Sequence, residues 1–468
     1  MVFSSLIFLF LFLPAAVLVY YVSPRKLRNA VLLVASLIFY AWGEPVYILI
    51  MVFSTVFDYF NGLLIDKYRH RKWIARSVFF GSMAGSLGIL GFFKYAGFVT
   101  ENINQLFHLH LQTADLPLPV GISFYTFQTM SYVVDVYLGK VPVQRNFVAF
   151  GAYVTMFPQL VAGPIVKYGD IAGQLDSRSV TLDRFGEGAE LFIRGLAKKV
   201  LLANNIGLLW TSVKAEPVAE LSVLSAWLGI IAFTLQIYFD FSGYSDMARG
   251  LGKMFGFDFK ENFRYPYISK SVTEFWRRWH ISLGAWFREY VYIPLGGNRK
   301  GMAKQLRNVL SVWFLTGLWH GASWNFIVWG LYFGFFVMIE KLLLLRWLGR
   351  CPAWAGHVYT LLVVIVGWVL FEMEHLAAAM RFIGVMFGFG GHGFADRQAL
   401  YALSTNAALL VVLAFCATPF PGKMLAYVKT KWKTAGAIAS PLIYFLFMAL
   451  STAYLVNETY NPFLYFRF

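Results

Sequence analysis

Charge is scarce in this chain: Asp, Glu, Lys and Arg make up 14% of its 468 residues, whereas hydrophobic residues make up 59%. A soluble domain carries roughly a quarter charged residues, so the composition excludes an ordinary soluble enzyme and indicates a polytopic membrane protein. Cysteine is nearly absent. Cys351 and Cys416 cannot form a disulfide framework. We interpret them as small buried hydrophobic side chains.

Motifs for several common chemistries are also missing. The chain has no Walker A segment, no HExxH pair and no GxSxG elbow, and its cysteines and histidines lack zinc-ligand spacing. We therefore expect no metal site. The chemistry that remains available is acid–base catalysis by histidine.

The charges that are present are mostly basic, and the formal net charge is +16. Basic residues cluster between apolar segments, which is typical of cytoplasmic loops that face anionic lipids. We therefore predict membrane lipids, and not nucleic acid, as partners. In the first apolar run the basic cluster Arg25-Lys26-Leu27-Arg28 follows the run. This order predicts a retained first helix of a multi-pass cell-membrane protein, with the N-terminus outside.

Apolar segments recur along the whole chain, without an internal repeat or a soluble module. They predict an all-α polytopic integral membrane protein with roughly ten to twelve membrane segments, some of them re-entrant or interfacial because they are too short to span. We interpret residues 1–468 as one membrane domain. Within it, 253–307 reads as a cytoplasmic segment rich in basic and aromatic residues.

The segment 309–340 contains one conspicuous histidine. No residue from Val309 to Ile339 carries a formal charge, and His320 is the only one that titrates near neutral pH. Ionisable residues within membrane segments are costly and are functional candidates. Two interpretations of the backbone are open. The segment is either a hairpin broken within Gly317–Gly321, with His320 near the membrane midplane, or one long tilted helix.

A second histidine follows a helix-start signal. Ser271 and Glu274 have capping-box spacing, which predicts a helix from Ser271 to about Tyr290 with Trp276 and His280 on one face. An amphipathic interfacial helix explains the pattern without catalysis. Alternatively, this helix binds a phosphate-bearing cofactor or an acidic carrier protein, with Trp276, Arg277 and Arg278 as cofactor-binding residues.

Two carboxylates, Asp240 and Asp246, end another apolar segment. We interpret them as structural anchors that pair with Arg249 or with the Arg277 region. A role in orienting a catalytic histidine is the alternative.

At these residues the chain resembles the membrane-bound O-acyltransferases, in the branch that serves alginate acetylation and teichoic acid D-alanylation. The resemblance covers nearly the whole chain. It is carried by the blocks Gly121–Phe127, Phe157–Pro164, Tyr238–Asp246, Glu274–Leu283, Gly317–Gly321 and Asn461–Phe468.

The resemblance implies that His320 is the catalytic intramembrane histidine and His280 the second histidine, in a ring of helices around a thin centre with a cytoplasmic funnel. It implies a donor thioester, acetyl-CoA, and an extracytoplasmic SGNH-type acetyltransferase partner within a polysaccharide biosynthesis complex. In the expected mechanism His320 acts as general base. Glu289 stands where the family pattern leads us to expect aspartate, which leaves the polysaccharide undetermined.

Other functions remain open at this point. A carrier protein in place of acetyl-CoA would make the chain a D-alanyltransferase that serves teichoic acid. A membrane transporter with His320 in its pathway would use a broken helix as well. A scaffold for a polysaccharide synthase would not need His320.

Overall fold

The computed structural model describes residues 1–112, 116–161, 163–457 and 463–464. Its regular structure is helical, and no strand occurs among these residues. The prediction of an all-α membrane protein is confirmed. Ala162 and most of the C-terminal block Asn461–Phe468 lie outside the described residues.

Among the described residues, seven helices are long and apolar enough to cross a membrane. Two shorter apolar helices, Phe8–Val22 and Leu376–Met386, accompany them, and the first lies in the first apolar run of the sequence. The seven long helices are Ile48–Lys67, Lys72–Phe107, Val223–Met254, Trp324–Leu348, Ala353–Glu372, Arg397–Cys416 and Gly436–Asn457. The other α-helices are Arg28–Ala41, Ile122–Tyr137, Phe147–Thr155, Phe157–Leu160, Tyr168–Asp176, Leu182–Ala197, Asn205–Lys214, Val272–Arg278, Ile281–Phe287, Met302–His320 and Phe420–Lys431.

The described residues fall into two compact units. The first holds residues 1–192, 245–260 and 463–464, and the second holds 193–244 and 261–457. The interpretation of the chain as one membrane domain stays a prediction. Both histidines of interest, and the segments that carry them, belong to the second unit.

A buried carboxylate lies in the core of the first unit. Asp58 is fully buried on helix Ile48–Lys67. The Ser82 hydroxyl donates to it at 2.7 Å and the Ser86 hydroxyl at 3.2 Å. These bonds offset the cost of burying a carboxyl group among apolar side chains.

The same unit contains Asp246, which forms an ion pair with Arg249 at 3.4 Å, one helical turn away. The structural pairing predicted for Asp246 is confirmed. One turn further on, Lys253 reaches Glu187 at 2.5 Å. The first pair lies within the C-terminal end of the helix Val223–Met254, and the second joins that end to the helix Leu182–Ala197.

In the second unit Asp240 has a different partner from the one predicted. Its carboxylate lies 2.6 Å from Lys199 Nζ, and both side chains are almost fully buried. The two backbones approach closely here, because a Cβ on Gly243 would lie 2.7 Å from the Gly195 carbonyl oxygen. This close approach brings Lys199 to Asp240, so the structure pairs Asp240 with a residue that the sequence prediction, Arg249 or the Arg277 region, did not name.

Candidate active site

His320 lies at the turn of a helical hairpin, which we call the histidine hairpin. Its first arm is Met302–His320 and its second arm is Trp324–Ile339. Gly321 and Ser323 between the arms have extended backbones. The interpretation of this segment as one tilted helix is therefore wrong, and the hairpin interpretation is correct. The break follows His320, so this histidine ends the first arm.

Glycines set the close approach of the two arms. A Cβ on Gly330 would lie 2.3 Å from the Trp313 carbonyl oxygen, and a Cβ on Gly317 would lie 2.3 Å from that of Phe326. Each glycine thus meets main-chain atoms of the other arm. Any side chain there would separate the arms, because backbone atoms cannot move aside as a flexible side chain can.

The arms are longer than the ten-residue half-span expected from the sequence. The first has 19 residues, or about 28 Å at roughly 1.5 Å per residue. The second continues through Glu340–Leu344 to Leu348 as a helix of 25 residues that is long enough to cross a membrane. The placement of His320 near the midplane stays a prediction.

Aromatic rings enclose the His320 imidazole, and the residue is 5% exposed. Trp319, Trp329 and Phe371 meet its ring edge-on, at centroid distances of 5.0, 4.9 and 5.2 Å. Edge-to-face contact is a preferred geometry for aromatic pairs. The imidazole orientation is therefore restricted from three sides.

A hydrogen bond connects the hairpin turn to the helix that supplies Phe371. Asn325 Nδ2 donates to the Met373 carbonyl oxygen at 2.9 Å, just after helix Ala353–Glu372 ends. Ser323 also contacts the Asn325 side chain. The start of the second arm and the Phe371 ring are thus held together beside His320.

The segment that carries His280 is a broken helix, formed by Val272–Arg278 and Ile281–Phe287. Its predicted start is confirmed: the Ser271 hydroxyl accepts from the Glu274 N–H at 3.0 Å. The predicted continuous course to Tyr290 is wrong. His280 has φ +44°, a left-handed conformation that interrupts the helix, so it does not share a helical face with Trp276.

His280 is 2% exposed and lies among rings and one amide. The Phe241 ring meets it edge-on at 4.8 Å, and Asn262 Oδ1 lies 3.3 Å from its Nδ1. His280 is outside the seven candidate spans. Burial lowers its pKa to about 3, because desolvation disfavours the imidazolium. The ring is consequently neutral at physiological pH.

Trp319 brings the two histidines into one site. Its ring centroid lies 6.0 Å from that of His280 and 5.0 Å from that of His320. The two residues are 40 positions apart in the sequence (320 − 280). The structure thus places both predicted catalytic residues against one indole, and their catalytic roles stay predictions.

The three predicted cofactor-binding residues have different surroundings. Trp276 packs on Trp313 and Phe333 at 4.8 Å each. Arg278 is held by Glu274, with Nε donating to the carboxylate at 2.9 Å. Arg277 is exposed to solvent. Of the two arginines, Arg277 is the more exposed.

Two residues that the sequence analysis missed hold the broken helix. Glu340 is fully buried, and its carboxylate accepts from the backbone N–H groups of Val272 and Thr273 at 2.5 and 2.7 Å. Asn262 is also fully buried beside His280. Glu340 could have been suspected, since it is the first charge after the uncharged run. Asn262 has no such signal.

Other candidate chemistries receive no geometric support. Within the part of the chain that the structure describes, no three His, Cys, Asp or Glu side chains are grouped as metal ligands. Cys351 and Cys416 are free thiols and only half-buried. The glycine run Gly388–Gly393 spells GxGxxG, which the sequence analysis overlooked. It connects two helices and follows no strand, so it is not a dinucleotide-binding turn.

The chain is similar to one family model and to several named proteins. The family model described as MBOAT, membrane-bound O-acyltransferase family, matches residues 140–377. A probable alginate O-acetylase AlgI of Pseudomonas putida is 41% identical over the full length of both chains. A peptidoglycan O-acetyltransferase of Helicobacter pylori is 32% identical over 84% of this chain and 80% of its own. A teichoic acid D-alanyltransferase of Bacillus subtilis is 26% identical over 59% of this chain and 72% of its own.

Proposed function

This chain belongs to the membrane-bound O-acyltransferase family and is a membrane-embedded acyltransferase, and we propose that it moves an acetyl group from a cytoplasmic thioester to the O-acetylation of an exported polysaccharide. The donor substrate in this proposal is acetyl-CoA. The relatives that are named for O-acetylation are 41% and 32% identical, and the one named for D-alanyl transfer is 26% identical. The higher identity to the relatives named for O-acetylation favours transfer of an acetyl group over transfer of a D-alanyl group.

The observation that carries the proposal is the enclosed imidazole of His320 at the hairpin turn. A neutral imidazole takes a proton from a hydroxyl as the hydroxyl oxygen attacks the thioester carbonyl carbon. The new C–O bond forms, the C–S bond breaks, and the imidazolium of His320 returns the proton to the thiolate, which leaves as the free thiol of CoA. Burial among Trp319, Trp329 and Phe371 excludes water that would otherwise hydrolyse the thioester.

Two residues are candidates for holding the donor, Trp329 beside His320 and Arg277 before His280. Trp329 is 1% exposed, and its Nε1 has no hydrogen-bond partner among the described residues. We assign this N–H to the carbonyl oxygen of the acetyl group, where negative charge develops in the transition state. Arg277 is exposed and positively charged, and we assign it to the phosphates of CoA.

The acceptor side follows from chemistry and from the relatives. The relatives' names give alginate and peptidoglycan, both polymers with free hydroxyl groups. In our proposal the acetyl group passes to an extracytoplasmic SGNH-type partner, whose serine hydroxyl accepts it before the polymer does. The chain then resides in the cell membrane with its N-terminus outside.

The test uses the purified protein in lipid nanodiscs with [1-¹⁴C]acetyl-CoA. Release of CoA thiol and transfer of label to a soluble hydroxyl acceptor are measured together. We expect His320→Ala to lower the rate by about 10²- to 10⁴-fold, the range for loss of a positioned general base. His110→Ala changes an exposed histidine outside the site and serves as the matched control.

Three outcomes would contradict the proposal. A His320→Ala variant that folds and transfers acetyl at the normal rate would exclude the general-base role. Consumption of a D-alanyl carrier protein in place of acetyl-CoA would assign the chain to D-alanyl transfer. Movement of an intact ligand across the membrane without release of thiol would favour a transporter.

A further inference from the structure

Asn262 is the centre of a hydrogen-bond network around His280. Its side-chain Oδ1 lies 3.3 Å from His280 Nδ1 and accepts from both the N–H and the hydroxyl of Ser282 at 3.0 Å. Its own carbonyl oxygen accepts from the Ile281 N–H at 3.0 Å. Asn262 is fully buried. One residue thus contacts three successive positions of the broken helix.

The network decides which atom of the Asn262 amide faces His280. The backbone N–H of Ser282 can only donate, so the atom that it meets must be the amide oxygen and not the NH2 group. The same atom faces His280 Nδ1. An amide oxygen can only accept, so Nδ1 must carry the proton. In a neutral imidazole the other nitrogen, Nε2, is then an acceptor.

The backbone around His280 depends on the same segment. A left-handed conformation is unfavourable for a residue with a Cβ, and His280 has φ +44°. On the C-terminal side of His280, the Ile281 N–H donates to the Asn262 carbonyl oxygen. On its N-terminal side, the Arg264 N–H donates to the Arg278 carbonyl oxygen at 2.9 Å. These two bonds hold the backbone on both sides of the turn, which stabilises the strained residue between them.

We propose that Asn262 is a positioning residue that fixes the Nδ1–H tautomer of His280 and thereby keeps His280 Nε2 as a hydrogen-bond acceptor in the acyl-transfer site. This assignment of purpose depends on the proposed function, whereas the tautomer itself does not. His280 then takes part as a neutral acceptor, and His320 is left as the group that takes up the proton. The two histidines have separate tasks in this arrangement.

The tautomer can be measured directly. Solid-state NMR of protein with ¹⁵N-labelled histidine in bilayers distinguishes a protonated from an unprotonated ring nitrogen, and comparison with His280→Gln assigns the His280 signals. For the unmodified protein we expect a protonated Nδ1 and an unprotonated Nε2. A protonated Nε2 with a bare Nδ1 overturns the proposal, and this result needs no variant that has to fold.

Substitutions at Asn262 test whether this residue fixes the tautomer of His280. Asn262→Ala removes the acceptor, so we expect the single tautomer to be lost and acetyl transfer to fall roughly ten- to a hundredfold, the range seen when the hydrogen-bond partner of a metal-bound histidine is removed. Asn262→Asp keeps an acceptor oxygen and should restore the Nδ1–H signal. Ser282→Ala deletes one donor to the same oxygen and should leave the tautomer unchanged.

The outcomes separate the two proposals. An unchanged tautomer in folded Asn262→Ala overturns the role of Asn262. If the unmodified protein has the expected tautomer but consumes no acetyl-CoA, the proposed function fails while the tautomer assignment stands. If transfer falls in Asn262→Ala but is not restored in an Asn262→Asp variant that recovers the tautomer, the link between tautomer and catalysis is overturned.

Discussion

The two histidines of the site lie in regions that are built on different physical principles. In the histidine hairpin, steric contact determines the position of His320: glycines bring two backbones together, and three rings enclose the imidazole. In the broken helix, hydrogen bonds determine the position of His280, through Asn262 at the break and Glu340 at the helix start.

The difference teaches what each region tolerates. Close backbone contact fails as soon as one extra atom is added, because packed interiors have little free volume. A hydrogen-bonded position accepts any group of similar shape that keeps the donor or acceptor, and fails when a buried partner is left unsatisfied. Added volume should therefore disrupt the histidine hairpin, whereas a change of polarity should disrupt the broken helix.

The largest effect is expected from one methyl group in the hairpin. Gly330→Ala would place a Cβ 2.3 Å from the Trp313 carbonyl oxygen, with only backbone to move. We expect a loss of at least 1–3 kcal/mol of stability, the usual range for overpacking, together with loss of acetyl transfer. Thermal unfolding in nanodiscs and the transfer assay measure both.

The matched control is Gly88→Ala, since a Cβ on Gly88 would meet nothing within 4 Å. It also lies inside a helix, so both variants gain the same helix propensity. Equal stability of the two variants would show that close backbone contact does not hold the hairpin.

The second effect tests polarity at the start of the broken helix. Glu340→Gln keeps the volume but replaces one acceptor oxygen by an NH2 group, which faces a backbone N–H donor. We expect a stability loss of about 1–3 kcal/mol and weaker transfer, because the helix that leads to His280 loses its anchor. Glu374→Gln changes an exposed glutamate and should have no effect. A normal unfolding midpoint for Glu340→Gln would contradict the role of hydrogen bonding here.

The third effect concerns pH. The pKa of His280 is lowered from 6.5 to about 3 by burial, so between these values the unfolded chain binds more protons than the folded one. Stability should therefore rise with pH across this window, by up to ~1.4 kcal/mol per pH unit. His280→Gln removes this contribution and should flatten the slope of unfolding midpoint against pH. His110→Gln, at an exposed site, should leave the slope unchanged. If His280→Gln also left the slope unchanged, a buried neutral His280 would be contradicted.

The smallest effect compares two adjacent arginines. Arg277 is exposed, whereas Arg278 is held by Glu274. Arg277→Ala should raise KM for acetyl-CoA about threefold, since exposed charge contacts contribute ~0.5–1 kcal/mol, and should leave stability unchanged. Arg278→Ala should instead lower stability by about 0.3–0.5 kcal/mol with little change in KM. The reverse pattern would assign the phosphate contact to Arg278.

Parts of the site were predictable because their signals are local. Ser271 precedes Glu274 by three positions, and that spacing alone indicates a helix start. Glycines on both sides of His320 indicate a break, although the first arm continues through His320 and the turn follows it. The break at His280 was not predictable, because neither glycine nor proline marks it. Contacts with Asn262, 18 residues away, stabilise its left-handed backbone.

The amino-acid sequence by itself determined the membrane class, the helical content and the family, and it singled out both histidines as candidates, because apolar runs, charge clusters and short motifs act over a few neighbouring residues. The tertiary structure alone decided that Trp319 packs against both imidazoles, that Glu340 anchors a helix 67 and 68 positions before it, and that Lys199 is the partner of Asp240. Apart from the contact between the neighbours Trp319 and His320, each of these contacts joins residues that are far apart in the chain. Their meeting depends on how closely the backbones pack, which no local pattern encodes.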